Sequence, residues 1–88
     1  APAAAVPGPN VRKVVAPING IFYRSQSPGT EVFVEVGDRV QPGQVLCILE
    51  AMKNMNEITS EFAGVVRAIL PQNGELVSRD EEMFWIEP

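Results

Sequence analysis

The chain has 88 residues, of which 45% are apolar, so it is long enough to form one small domain around a hydrophobic core. Its formal net charge of −4 and the scattered positions of its seven Lys and Arg residues argue against binding to a nucleic acid. No apolar run approaches the length of a membrane span, and no signal-peptide pattern is present. We therefore expect neither a nucleic acid nor a membrane as a partner.

Residues with reactive or metal-binding side chains are few. The chain contains one cysteine and no histidine, which excludes an intrachain disulfide and leaves too few of the usual ligands for a structural zinc site. Histidine-dependent acid–base or nucleophilic catalysis is excluded as well. Cys47 lies within an apolar run and is best interpreted as a small buried hydrophobe rather than a nucleophile. We predict no catalytic residue and no metal site.

The N-terminal segment, residues 1–10, contains three prolines and no charged residue. Proline fixes φ and lacks an amide donor, so neither a helix nor a sheet suits this segment. We predict an Ala/Pro-rich flexible linker over 1–10 and a single domain over 11–88.

Within the domain, short apolar segments alternate with turn signals. The predicted strands cover 11–15, 21–24, 45–49, 55–59, 64–70, 76–77 and 83–86, with an alternating stretch at 32–36 and a short segment around Val40. Pairs such as Pro42-Gly43 and Asn73-Gly74 mark turns between them. Many short strands separated by regular turns predict an all-β sandwich or barrel.

The sequence also contains an internal repeat. Segments 36–40 and 46–50 match 73–77 and 83–87 at a constant offset of 37 residues, and 19–24 matches 63–68 at an offset of 44. Each half alone would expose an apolar face, so the halves should pack on one another with approximate two-fold symmetry.

The two offsets differ by seven residues, so the first half carries an insertion, which falls most naturally at 25–33. Its Ser, Pro and Gly content predicts a protruding loop or hairpin, with Pro28-Gly29 in a tight turn at the tip. Four side chains on it offer hydrogen-bond donors and acceptors: Ser25, Gln26, Ser27 and Thr30. The alternative is an insertion with no function.

The octet Glu50-Ala51-Met52-Lys53-Asn54-Met55-Asn56-Glu57 joins two predicted strands. Glu, Ala, Met and Lys are good helix formers, but the flanking strands and the short interval favour a hairpin with Lys53 near its tip. An exposed primary amine on a tight turn is a site that another enzyme can modify. The other interpretation is an ordinary surface lysine.

Ala51-Met52-Lys53-Asn54-Met55 resembles the Ala-Met-Lys-Met motif of biotin-accepting domains, although Asn54 stands where the family usually has an apolar residue. The resemblance extends over about 11–87 and is to the biotinyl domains of the biotin carboxyl carrier proteins of acetyl-CoA carboxylases. It implies a flattened barrel of two four-stranded antiparallel sheets, with Lys53 on a hairpin at one end and both termini at the other. The insertion at 25–33 resembles the protruding thumb of this branch of the family.

The resemblance also implies a function. Lys53 would carry biotin through an amide bond formed by a biotin protein ligase. The biotin would then shuttle carboxylate from biotin carboxylase to a carboxyltransferase, for conversion of acetyl-CoA to malonyl-CoA. The domain itself would be non-catalytic, located in the cytoplasm or in a plastid stroma. Ala51, Met52 and Met55 would contribute to partner recognition, and the thumb would approach the biotin head group.

Three alternatives remain open at this point. The domain could serve another acyl-CoA carboxylase or a decarboxylase, or it could carry lipoate, although lipoyl domains typically have Asp rather than Met before the lysine. It could also be an adaptor whose lysine is never modified.

Overall fold

The computed structural model describes residues 10–88, so the predicted linker lies almost entirely outside the described residues, and only Asn10, in a turn, falls within them. Eight strands make up this part of the chain: β1 (Arg12–Val15), β2 (Gly20–Tyr23), β3 (Arg39–Val40), β4 (Val45–Ala51), β5 (Asn54–Thr59), β6 (Gly64–Ile69), β7 (Leu76–Val77) and β8 (Glu82–Glu87). Residues 10–88 contain no helix that could cross a membrane.

The strands form two four-stranded sheets whose neighbours are all antiparallel. One sheet has the order β1-β8-β6-β3 and the other the order β5-β4-β2-β7. This arrangement confirms the predicted all-β fold of two four-stranded sheets.

The core lies between the two sheets and is built from alternate side chains of the strands. In β6, for example, buried and more exposed residues alternate, which is the pattern of a strand with one face on the core. The rings of Phe22 and Phe84, one from each sheet, pack at a centroid distance of 5.9 Å. Around them lie the other members of the core: Val14, Ala16, Val34, Val40, Leu46, Cys47, Leu49, Val66, Val77, Met83 and Ile86.

The predicted repeat is present as a pseudo-two-fold relation between the sheets. Adding 37 to the residue numbers carries β3 onto β7 and β4 onto β8, while adding 44 carries β1 onto β5 and β2 onto β6. Applied to the order β1-β8-β6-β3, the relation gives β5-β4-β2-β7, which is the order of the other sheet. Even the strand register is kept, because the pair Leu49–Asn56 corresponds to the pair Ile86–Arg12.

The insertion forms a small closed loop between β2 and β3, which we call the thumb (residues 25–33). An isolated bridge between Ser25 and Val32 closes it, and the Thr30 amide donates to the Ser27 carbonyl at 3.2 Å. The alternating stretch at 32–36 does not continue as a strand beyond this bridge. The chain instead bends inward to bury Val34 and then turns at residues 35–38, where the Asp38 amide donates to the Glu35 carbonyl at 3.0 Å. At this turn it meets β6, because the Gly37 amide donates to the Val66 carbonyl at 2.8 Å.

The ends of the domain lie away from the β4–β5 connection. The Arg12 guanidinium carbon lies 5.7 Å from the centroid of the Phe62 ring. β5 begins at the connection to β4 and ends at Thr59, and Phe62 follows that second end. The start of β1 therefore lies at the end of β5 opposite the β4–β5 connection. β8 pairs with β1 and ends beside its start, which brings residues 10–12 and 86–88 together there.

Candidate functional site

The connection between β4 and β5 is a two-residue turn formed by Met52 and Lys53. Ala51 pairs with Asn54 across the hairpin, and both turn residues have positive φ, 51° at Met52 and 67° at Lys53. Two successive positive φ values define a type I′ turn, which matches the twist of the flanking strands but favours Asn and Gly. Met and Lys in this conformation are uncommon and cost conformational energy, which the surrounding hairpin must offset.

The burial of β4 explains why this segment forms a hairpin rather than a helix. Leu46, Cys47 and Leu49 are buried in the core, and β4 is paired on both sides, with β2 and with β5. These contacts outweigh the helix propensity of the Glu50–Lys53 segment, which amounts to only a few tenths of a kcal/mol per residue.

Asn56, which the sequence analysis did not single out, stabilises the hairpin from within β5. Its side-chain Nδ2 donates to the backbone carbonyl of Leu49 at 3.2 Å and lies 3.4 Å from the carbonyl of Asn54. One side chain therefore links both strands of the hairpin just before the turn. This role follows from the pairing of Asn56 with Leu49 on the neighbouring strand. That pairing is visible in the structure but not in the sequence.

The turn brings together the residues predicted to take part in partner recognition. Lys53 is exposed, Met52 is 93% exposed, Met55 is 53% exposed and Ala51 is half-buried. The exposure of Met52 leaves it almost no packing contact within the domain, whereas Met55 keeps about half of its surface against neighbours.

A groove of about 310 Å³ lies between the thumb and the hairpin. Its lining combines apolar and polar side chains: Tyr23, Ser25, Gln26, Ser27, Pro28, Glu50, Met55 and Asn73. Three of the four predicted thumb residues thus face the groove. Thr30 does not line it, because its hydroxyl donates to the Ser27 carbonyl at 2.6 Å and accepts from the Ser27 amide at 3.2 Å within the thumb. The Ser25 hydroxyl also donates within the thumb, to Ser27, at 3.0 Å.

Tyr23 and Glu50 also line the groove, and neither was predicted as part of it. A hydrogen bond from the phenol to the Glu50 carboxylate raises the pKa of Tyr23, with burial and the carboxylate charge acting in the same direction. Tyr23 pairs with Ile48, two residues before Glu50, so the two polar side chains lie on the same outer face of the sheet. Asn73 closes the groove from the opposite half of the chain, with its side-chain oxygen accepting from the Arg24 amide at 2.8 Å.

Fold and site together define a small β-domain that presents one lysine on a strained two-residue turn beside a groove. The sequence profile described as biotin-requiring enzyme matches residues 12–86, and the chain therefore belongs to this family.

Two curated relatives and one solved structure support this assignment. The chain is 47% identical over 87 residues to the biotin carboxyl carrier protein of acetyl-CoA carboxylase from Nostoc sp., covering 99% of this chain and 48% of the relative. It is 52% identical over 75 residues to the chloroplastic biotin carboxyl carrier protein of acetyl-CoA carboxylase 1 from Arabidopsis thaliana, covering 85% and 27%. The urea carboxylase of Kluyveromyces lactis superposes with a TM-score of 0.75 at 25% identity, covering 94% of this chain and 7% of that one. The chain thus spans about half, or less, of the curated relatives it matches.

Family membership and the relatives identify covalently bound biotin as the cofactor, and the residues at the turn fit this group. Lys53 offers an exposed amine for an amide bond. The groove beside it combines the apolar surfaces of Pro28 and Met55 with polar groups from Gln26 and Asn73, which suits a bicyclic ring with a polar ureido edge. Biotin bound there would supply a ureido nitrogen as its reactive group.

Proposed function

We propose that Lys53 is the biotin acceptor and that this domain is a non-catalytic carboxyl carrier. The observation that carries the proposal is the type I′ turn, which holds an exposed lysine at the tip of a hairpin next to the groove. The other lysine, Lys13, lies in β1 with its Nζ 3.4 Å from a Glu82 carboxylate oxygen, and is therefore a poorer acceptor.

The contribution of this chain to attachment is geometric. Lys53 Nζ attacks the carboxyl carbon of biotin activated as an adenylate. The C–N bond forms, the C–O bond to the phosphate breaks, AMP leaves and the amine loses a proton. The chain has no histidine to accept that proton, so activation and deprotonation belong to the biotin protein ligase. The hairpin holds the amine in place, and its strand pairing keeps the turn from rearranging.

The loaded domain serves a biotin carboxylase and a carboxyltransferase, and the names of the curated relatives support acetyl-CoA carboxylation as the overall reaction. The hairpin lies at the end of the domain away from residues 10–12 and 86–88, so a tether attached there leaves Lys53 free to reach both partners. The relatives from Nostoc and from the chloroplast of Arabidopsis support a cytoplasmic or plastid-stroma location.

The thumb is part of this proposal. Gln26 and Ser27 line the groove beside Met55 and present polar groups to the biotin head group, in contact worth about one net hydrogen bond, or about 1 kcal/mol. Comparison of NMR spectra before and after biotinylation should show shifts both at the hairpin and at residues 25–28. A response confined to the hairpin contradicts contact with the thumb.

The acceptor is tested by incubating the domain with biotin protein ligase, ATP and biotin, followed by intact mass and peptide mapping. We expect one biotin on the wild type and on Lys13→Arg, and none on Lys53→Arg. Arg keeps the positive charge at each position, so a difference between the variants reports the acceptor amine rather than the local charge.

Biotin on Lys13, or no biotin on the wild type, would overturn the proposal. Incubation with a lipoate ligase and lipoate serves as the parallel control, because the two acyl groups differ in mass. Loading with lipoate in preference to biotin would assign the chain to the lipoyl carriers instead.

A further inference from the structure

The three methionines of the chain differ sharply in their contact with solvent. Met52 is 93% exposed and Met55 is 53% exposed, whereas Met83 is fully buried in the core. The remaining sulfur belongs to Cys47, which is also fully buried, and burial raises the pKa of its thiol to about 12. A thiol held in its protonated form is a poor nucleophile towards peroxides. The sulfur atoms open to an oxidant are therefore the two thioethers that flank Lys53.

We propose that Met52 and Met55 form a reversible methionine-oxidation site that controls acylation of Lys53. The oxidant is a hydroperoxide. The thioether sulfur loses two electrons, an S–O bond forms, the O–O bond of the peroxide breaks, and the remaining oxygen leaves as an alcohol, or as water when the oxidant is hydrogen peroxide. The effect on acylation depends on the proposed role of Lys53, but the oxidation chemistry does not.

The positions of the two side chains explain why oxidation would alter acylation. Met52 adjoins Lys53 in the turn and is almost entirely solvent-exposed, so it forms part of the surface that any acylating enzyme must contact. Met55 lines the groove together with Tyr23 and Pro28. Oxidation turns a flexible apolar side chain into a polar and chiral one, which weakens both contacts without involving the core.

The exposure of both side chains also makes the modification reversible. Methionine sulfoxide reductases act on each epimer of the sulfoxide and require access to the side chain. Met52 and Met55 meet this requirement in the folded domain, whereas a sulfoxide at Met83 could form and be reduced only after unfolding.

The experiment treats the folded domain with hydrogen peroxide, maps the oxidised peptides over time and measures biotin incorporation by the ligase. We expect Met52 to be oxidised first, Met55 next and Met83 last. Incorporation should fall about fivefold to tenfold, the equivalent of about 1 to 1.4 kcal/mol. Treatment with MsrA and MsrB should restore it, and the melting temperature should stay unchanged throughout.

The matched control is the double variant Met52→Leu/Met55→Leu, which keeps the side-chain volume but removes the thioethers. Its rate after peroxide is compared with its own untreated rate, and the ratio should be close to one. Unchanged incorporation by a wild type that carries both sulfoxides overturns the proposal, as does an equal loss in the double variant. An untreated wild type that accepts no biotin overturns the proposed function instead, and the oxidation map still tests the order of reactivity.

Discussion

Asn56 links the two strands of the hairpin that presents Lys53, through its contacts with the carbonyls of Leu49 and Asn54. Replacing it with Ala should cost about 1 kcal/mol of unfolding free energy, because one partly buried hydrogen bond is lost. It should also increase fast backbone motion at Met52 and Lys53 and lower the kcat of biotinylation. Urea unfolding, NMR relaxation and ligase kinetics measure the three effects.

The control for this prediction is Asn54→Ala, which removes an exposed side chain but keeps the backbone carbonyl that Asn56 contacts. Its stability should stay within about 0.5 kcal/mol of the wild type. If Asn56→Ala loses stability but the turn stays rigid and kcat is unchanged, Asn56 supports the fold and does not position the lysine.

Tyr23 provides a pH-dependent probe of the groove, and it is the only tyrosine in the chain. Its pKa is raised above the ordinary value of 10.0, first by its hydrogen bond to Glu50. A raised pKa means that the folded state favours the neutral phenol. The associated stability is therefore complete below about pH 10 and is lost as the pH rises through the raised pKa.

Glu50→Gln should bring the pKa of Tyr23 back towards its ordinary value, since the amide carries no negative charge to oppose ionisation. Phenolate absorbance during an alkaline titration measures this directly. Equal titration curves for the two proteins would mean that Tyr23 and Glu50 do not interact in solution.

At the level of elements, two glycines let the central strands approach the ends of their neighbours. A Cβ on Gly20 would lie 2.9 Å from the Glu50 carbonyl oxygen, and one on Gly64 would clash with the Glu87 carbonyl oxygen. Gly64 also has a φ of +158°. Neither neighbour can move aside easily, because both contacts are to backbone atoms.

Gly64→Ala should therefore lower the free energy of unfolding by about 1 to 3 kcal/mol. The loss should be smaller for Gly20→Ala, because the added Cβ makes a less severe contact there and the backbone of Gly20 does not have a positive φ. Urea unfolding of the two variants measures the difference. Equal stabilities would show that the ends of β4 and β8 adjust to the added methyl group.

Most of the strands could be predicted from the sequence, because apolar runs such as 45–49 and 64–70 are typical of buried strands. The thumb could be located from the difference between two repeat offsets. The type I′ turn could not be predicted, since Met and Lys are not the residues that such a turn favours. The groove could be predicted only in part, because Tyr23 and Asn73 reach it from segments that are distant in sequence. Thr30 was predicted to approach the biotin head group with the rest of the thumb, but its hydroxyl donates to the Ser27 carbonyl within the thumb. The amino-acid composition of the loop does not specify this hydrogen bond.

At the scale of the whole molecule, the two halves of the repeat have the same strand order, but the loops that join their strands differ in length. The link between β2 and β3 carries the thumb, while the corresponding link between β6 and β7 consists only of residues 70–75. The groove that the thumb lines therefore belongs to the first half of the repeat, apart from Met55 and Asn73. The predicted two-fold repeat is confirmed for the strands, and the asymmetry lies in the insertion.

The pseudo-two-fold relation also pairs the lysine turn with the opposite end of the domain. Subtracting 44 from Asn54 gives Asn10, and adding 37 to Ala51 gives Pro88, so the polypeptide enters and leaves the domain where the other half has its lysine turn. Two separate copies of one half, placed by the same symmetry, would leave a gap between strand ends at both positions. In this chain Met52 and Lys53 bridge one of these gaps. The topology thus separates the Lys53 turn from residues 10 and 88, which lie at the symmetry-related end of the domain.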